Sequence, residues 1–161
     1  MNPLENSAAP YLEVQNLVKT FGDDRAVDNI SFGVPQGGFV TLLGPSGCGK
    51  TTTLMCIAGL HKLDAGEIRV GGTLYTSAAR HVFLPPEQRD IGMVFQSYAI
   101  WPHMTVAENV AYPLEMRKVG RAEIDERVNQ VLRLVGLGDM ADKLATQLSG
   151  GQQQRAALAR A

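Results

Sequence analysis

The residues with the plainest chemistry are Gly44-Pro45-Ser46-Gly47-Cys48-Gly49-Lys50-Thr51, which fit the pattern G-x-x-x-x-G-K-[ST] at every fixed position. Glycines at this spacing let successive backbone N–H groups turn inward and form an anion nest. A helix starting at Lys50 adds its first-turn N–H groups and the positive end of its dipole. Lys50 can then reach the β- and γ-phosphates of a nucleoside triphosphate, and the Thr51 hydroxyl can face Mg²⁺. Thr52 completes the phosphate-binding set. The flanking elements must hold this loop in place. Phe39-Val40-Thr41-Leu42-Leu43 is a compact apolar run that reads as a fully buried strand. Residues 50–58 read as a helix stopped by Gly59.

A second run carries related chemistry. In Leu148-Ser149-Gly150-Gly151-Gln152, Ser149 is an N-cap residue and two glycines leave the backbone bare at a helix start. A second anion nest with no lysine suggests a second nucleotide contact. The phosphate loop alone does not separate GTPases, kinases and transport ATPases, but the guanine-reading N-K-x-D motif is absent.

The run 148–152, continued by Gln153-Gln154-Arg155, is identical to the signature of ATP-binding-cassette proteins, and the chain resembles that family over residues 11–161. The resemblance implies ATP and Mg²⁺ as ligands. It implies that Ser149, Gly150, Gly151 and Gln152 reach the γ-phosphate of ATP bound by a second ATP-binding subunit, in a homodimer. Gln96, in Val94-Phe95-Gln96-Ser97-Tyr98, resembles the family's Q-loop glutamine, a catalytic group that approaches Mg²⁺ and the attacking water. Phe21, in Lys19-Thr20-Phe21-Gly22, resembles the aromatic that stacks on adenine. The apolar run 98–106 resembles the surface that receives a transmembrane permease subunit. The implied role is the ATPase of an importer at the cytoplasmic face of the membrane, linked through the permease to a solute-binding protein. The stretch from Pro85 to Val110 leans toward carriers of iron or polyamine, with sugars also in range.

Composition is that of an ordinary globular chain. With 45% hydrophobic and 19% charged residues in 161, the chain can close a core. Net charge of −1 argues against a nucleic-acid partner. Two cysteines, Cys48 and Cys56, make neither a disulfide framework nor a four-ligand zinc site, and suit a reducing compartment. The first residues lack the charged and apolar regions of a signal peptide, and no apolar run approaches the length of a membrane span.

The remaining elements read as follows. Strands are expected at 11–14, 30–34, 67–70 and 91–95, with an irregular stretch at 73–89. From Thr105 the texture turns helical, and Ile124, Val128, Val131, Leu132 and Val135 form one apolar stripe. A last helix starts near Ser149. The expected architecture is an α/β P-loop NTPase, a RecA-like core with an antiparallel β edge plus an inserted α-helical subdomain. Its parts are a flexible tail (1–10), a nucleotide-binding core (11–97) and a helical subdomain (98–161). It is expected to be incomplete, because no apolar strand ends in Asp-Glu: Asp64, Asp90, Asp125 and Asp139 all lack that lead-in. The chain alone is therefore expected to bind ATP without turning it over. Two alternatives stand beside the transport reading: a soluble cassette ATPase of repair or translation, and a binding or interaction module without turnover.

Overall fold

The computed structural model describes residues 10–161, so the tail expected at 1–10 lies almost wholly outside the described residues. They pack as two compact units, one ending at Ile91 and the other spanning 92–161.

The first unit is built on one antiparallel sheet. β1 (Leu12–Phe21) pairs with β2 (Asp24–Val34) through a tight hairpin, and on its other edge with β3 (Ala65–Val70). β4 (Thr73–Ser77) and β5 (Val82–Phe83) extend the sheet in the order β2-β1-β3-β4-β5. The first two strands run further than the apolar pattern suggests, because β-bulges shift their register and let polar residues join the ladder. The stretch expected to be irregular thus holds two short strands. Helix α1 (Lys50–Ala58) has the expected bounds, and Gly59 ends it in the left-handed conformation at φ 83°. Cys56 and Ile57 on α1 pack into a core with Val14, Leu17, Val27, Leu63, Ile68 and Tyr75.

Two expected strands do not form. Residues 39–43 and 91–95 make no ladder with any described strand. Phe39 is 92% exposed and Leu43 95% exposed. A buried parallel strand needs neighbours to satisfy its N–H and C=O groups and cover both faces. Every described strand pairs only within the antiparallel sheet, so an apolar run alone does not make a strand here.

The second unit is helical. α2 (Val106–Met116), α3 (Arg121–Leu134) and α4 (Gly150–Arg160) enclose Val106, Val110, Ile124, Val128, Leu132, Leu137, Leu148 and Ala156. The stripe on α3 turns inward as its spacing requires: Ile124, Val128 and Leu132 are buried, and Val131 and Val135 pack against that core. Thr105 starts α2 with a capping box, its hydroxyl accepting from Glu108 N and its N–H donating to the Glu108 carboxylate. That hydrogen bond to the Thr105 N–H holds the exposed Glu108 carboxyl below its ordinary pKa.

Candidate functional site

The phosphate loop is an exposed arc from Gly44 to Cys48, closed by Gly49 and running into α1. Gly47 and Gly49 have φ of 83° and 86°, a region that favours glycine. A Cβ on Gly49 would also collide with the carbonyl of Ala26 on β2, so this glycine seats the loop against the sheet. The Lys50 ammonium curls into the arc and donates to the carbonyls of Gly44 (2.8 Å) and Pro45 (2.6 Å), with the Cys48 sulfur at 3.5 Å. No side chain caps the start of α1. Its first-turn N–H groups, the lysine and the Thr51 hydroxyl at the exposed first turn make a donor set suited to a polyphosphate.

Among the described residues no group of three or more His, Cys, Asp and Glu side chains could hold a metal. The Thr51 hydroxyl together with phosphate oxygens could supply a donor set of the kind Mg²⁺ commonly uses. Cys56, in the last turn of α1, is buried, and burial pushes its thiol up to about 11, which leaves it inert.

Phe21 closes β1 and is 46% exposed. His61, for which the sequence offered no reading, stands edge-on to that ring at 5.2 Å, and the Lys19 ammonium lies 5.1 Å from its centroid. Asp64, one of the acids that lacked a catalytic context, accepts from Lys19 Nζ (3.3 Å) and from Thr20 N (2.5 Å). It fastens the chain after α1 to the end of β1. Asp125 pairs with Arg121 along α3.

Gln96 and the run 149–152 lie in the second unit. Gln96 is exposed and sits with Ser97 at the centre of a turn closed by Tyr98 N on the Phe95 carbonyl, at 2.9 Å. Two consecutive residues then take positive φ, Tyr98 at 62° and Ala99 at 48°. Their carbonyls accept from Arg160 at the end of α4, at 3.1 and 2.5 Å, and the same guanidinium lies over the Trp101 ring at 4.7 Å. Asn109, fully buried on α2, accepts from Trp101 N and donates to the carbonyls of Trp101 and Thr105. Ile100 packs against the helical core and is not free on the surface. The exposed members of this loop are Ala99, Pro102 and His103. Sequence reasoning missed Arg160 and Asn109. The available signal was the amide: an asparagine in the buried row Val106, Asn109, Val110 must find internal partners.

Ser149 is the N-cap of α4, accepting from Gln152 N at 3.4 Å while the Gln152 side chain accepts from Ser149 N at 2.8 Å. Gly150 and Gly151 follow exposed. A Cβ on Gly150 would stand 3.9 Å from the Tyr98 hydroxyl, so the glycine run and the loop after Gln96 are neighbours within this unit.

A glycine-rich loop opening a helix beside an antiparallel sheet, joined to a helical unit, defines a P-loop nucleotide-binding domain. A family profile described as ABC transporter matches residues 27–161, and the chain belongs to that family. It is 53% identical over 143 residues to the trehalose/maltose import ATP-binding protein MalK of Thermococcus litoralis, covering 89% of this chain and 38% of that protein. It is 51% identical over 152 residues to the spermidine/putrescine import ATP-binding protein PotA of Pseudomonas aeruginosa, covering 94% of this chain and 40% of the relative. It is also 51% identical over 151 residues to the Fe(3+) ions import ATP-binding protein FbpC of Photorhabdus laumondii, covering 94% and 41%. The chain thus spans about two fifths of these relatives' length. The fold superposes on a dimeric post-hydrolysis structure of the ATP-binding cassette MJ0796 bound to ADP and Pi with a TM-score of 0.76. Sequence identity there is 30%, over 92% of this chain and 68% of that one.

Proposed function

We propose that this chain is the ATP-binding part of the ATPase subunit of an importer. The observation that carries the reading is the uncapped start of α1 with the Lys50 ammonium inside the arc of Gly44 to Gly49. In this reading the backbone of 44–50, Lys50, Thr51 and Thr52 hold the phosphates of ATP, and Phe21 receives the adenine face. Mg²⁺, when bound, neutralises phosphate charge and takes the Thr51 hydroxyl, with Gln96 as a further contact. The Ser149–Gln152 run serves the nucleotide of a second copy, and a nucleotide-linked homodimer follows from that. Hydrolysis, by the complete protein, is proposed on the same ground. Lys50→Ala should weaken ATP binding at least tenfold, about 1.4 kcal/mol. Calorimetry giving an unchanged dissociation constant for a folded variant would sink the reading.

The permease-docking role belongs to the exposed tip of the loop after Gln96, at Pro102 and His103, with the protein bound peripherally on the cytoplasmic side. Among the described residues no helix is long and apolar enough to cross a membrane. In the assembled transporter, His103→Glu is expected to lower solute uptake while ATP binding persists, and full uptake by that variant would remove the docking assignment. The solute is a small one. Sugar, polyamine and iron importers are all about equally similar to this chain, as expected if no residue in it touches the solute.

A further inference from the structure

Arg89 is 3% exposed, and its hydrogen bonds described here all go to neutral oxygens. Nη1 donates to the carbonyls of Cys56 (2.9 Å) and Ile57 (2.8 Å) in the last turn of α1, of which the Cys56 carbonyl also accepts from the capping Gly59 N–H. Nη2 donates to Thr76 Oγ1 on β4 (2.6 Å), and Nε to the Leu84 carbonyl (2.7 Å). The guanidinium lies 5.2 Å from the Phe83 ring centroid and 5.6 Å from that of Tyr75. Burial lowers its pKa, and the negative end of the α1 dipole supplies the compensating field. A Cβ on Gly59 would stand 2.6 Å from Nε, so the residue that ends α1 must be small for Arg89 to lie there at all. One side chain therefore clamps the C-terminal end of the phosphate-loop helix to the sheet, while Gly49 seats its other end on β2.

The same sheet carries Phe21. Leu60 and His61 donate back to the Met55 carbonyl of α1, His61 meets the Phe21 ring, and Asp64 is tied to Lys19 and Thr20. Base and phosphates of one nucleotide thus bear on two elements whose relative placement must be held. A ligand with two linked contacts gains from both only when their separation is fixed, and small misplacements are costly.

We infer that Arg89 is a positioning residue for nucleotide, clamping α1 to the sheet so that the phosphate loop and Phe21 engage ATP together. The inference rests on the nucleotide reading above. It separates from a plain structural role because only a ligand that uses both contacts should feel the loss.

The test compares Mg²⁺–ATP with Mg²⁺–tripolyphosphate, which has no base, on the protein expressed from its complete gene. Arg89→Lys keeps the charge but loses the fork, and should weaken ATP binding about tenfold while tripolyphosphate changes less than about twofold. In a Phe21→Ala background the same substitution should cost ATP less than about threefold, since the contact it aligns is already gone. Should Arg89→Lys not fold, Thr76→Val removes the β4 anchor alone and should give the same ligand selectivity at about threefold. Equal losses for both ligands, additive effects in the double variant, or unchanged ATP affinity would each overturn the assignment. Failure of the unsubstituted protein to bind either ligand would instead remove the nucleotide reading itself, and this inference with it.

Discussion

Helices α1 and α4 both open on glycine-rich turns, yet their first turns are finished in opposite ways. At α1 the N-cap is Gly49 in the left-handed region, no side chain bonds the first-turn N–H groups, and a lysine follows at once. At α4 the N-cap is Ser149 in an extended conformation, and a capping box with Gln152 already satisfies one orphan donor. The first start is left open for an outside acceptor and carries a compensating cation. The second is self-sufficient and offers only bare backbone at Gly150 and Gly151. The start of α1 is therefore the better suited of the two to hold an anion within a single chain, whereas α4 suits a contact completed by something already held elsewhere. This fits the proposal that one nucleotide is shared between the loop of one copy and the glycine run of another.

Neither start carries an acidic residue in its first turn, and no apolar run in the sequence leads into Asp-Glu, so the largest expected effect is on turnover. General-base catalysis is typically worth about 10²–10⁴-fold. The 161-residue chain by itself should hydrolyse ATP at least about a hundredfold more slowly than the protein expressed from its complete gene. Steady-state phosphate release measures this, and turnover near 1 s⁻¹, an ordinary enzyme rate, would contradict it. It would mean that one of Asp64, Asp90, Asp125 and Asp139 reaches the phosphates.

Gly49→Ala tests the open start directly. The new side chain meets the Ala26 carbonyl and sits at positive φ, a strain of about 1–3 kcal/mol before any clash is counted. Nucleotide affinity should fall by about 2 kcal/mol or more, roughly thirtyfold. Wild-type affinity in that variant would mean the loop does not need its seat on β2.

Ser149→Ala gives the smallest effect and sharpens the contrast. Removing an N-cap hydroxyl costs about 1 kcal/mol of stability. Chemical denaturation should register that loss, while ATP affinity of the isolated chain stays unchanged. A matching drop in the affinity of single chains would show that α4 and α1 serve the same nucleotide within one copy.

The comparison also marks how much was legible in the residues. Local chemistry carried the loop, the bounds of α1, the N-cap at Ser149 and the stripe on α3, since φ preferences, caps and period-3.6 apolarity act over a few neighbours. Chain spacing pointed to Gln96 and Phe21 only through resemblance, and neither has a local physical signature. Asn109, Arg160, Arg89 and His61 went unread. Each does its work across a sequence gap: Arg89, Arg160 and Asn109 bond main-chain carbonyls that any residue presents, and His61 meets the Phe21 ring from forty positions away.

What the sequence determined alone was the glycine-rich turn that opens α1 and which helices exist. Tertiary structure decided the strands. The run 39–43 has the apolarity of a buried strand but stays exposed, because strand formation is a property of a pair and no described strand lies beside it. β4 and β5 formed in a stretch that reads as irregular, because β3 offered a free edge to β4 and β4 in turn offered one to β5. A helix satisfies its own main chain and can be read from its own residues. A sheet borrows its hydrogen bonds from elsewhere in the chain, so its strands are known only once their neighbours are.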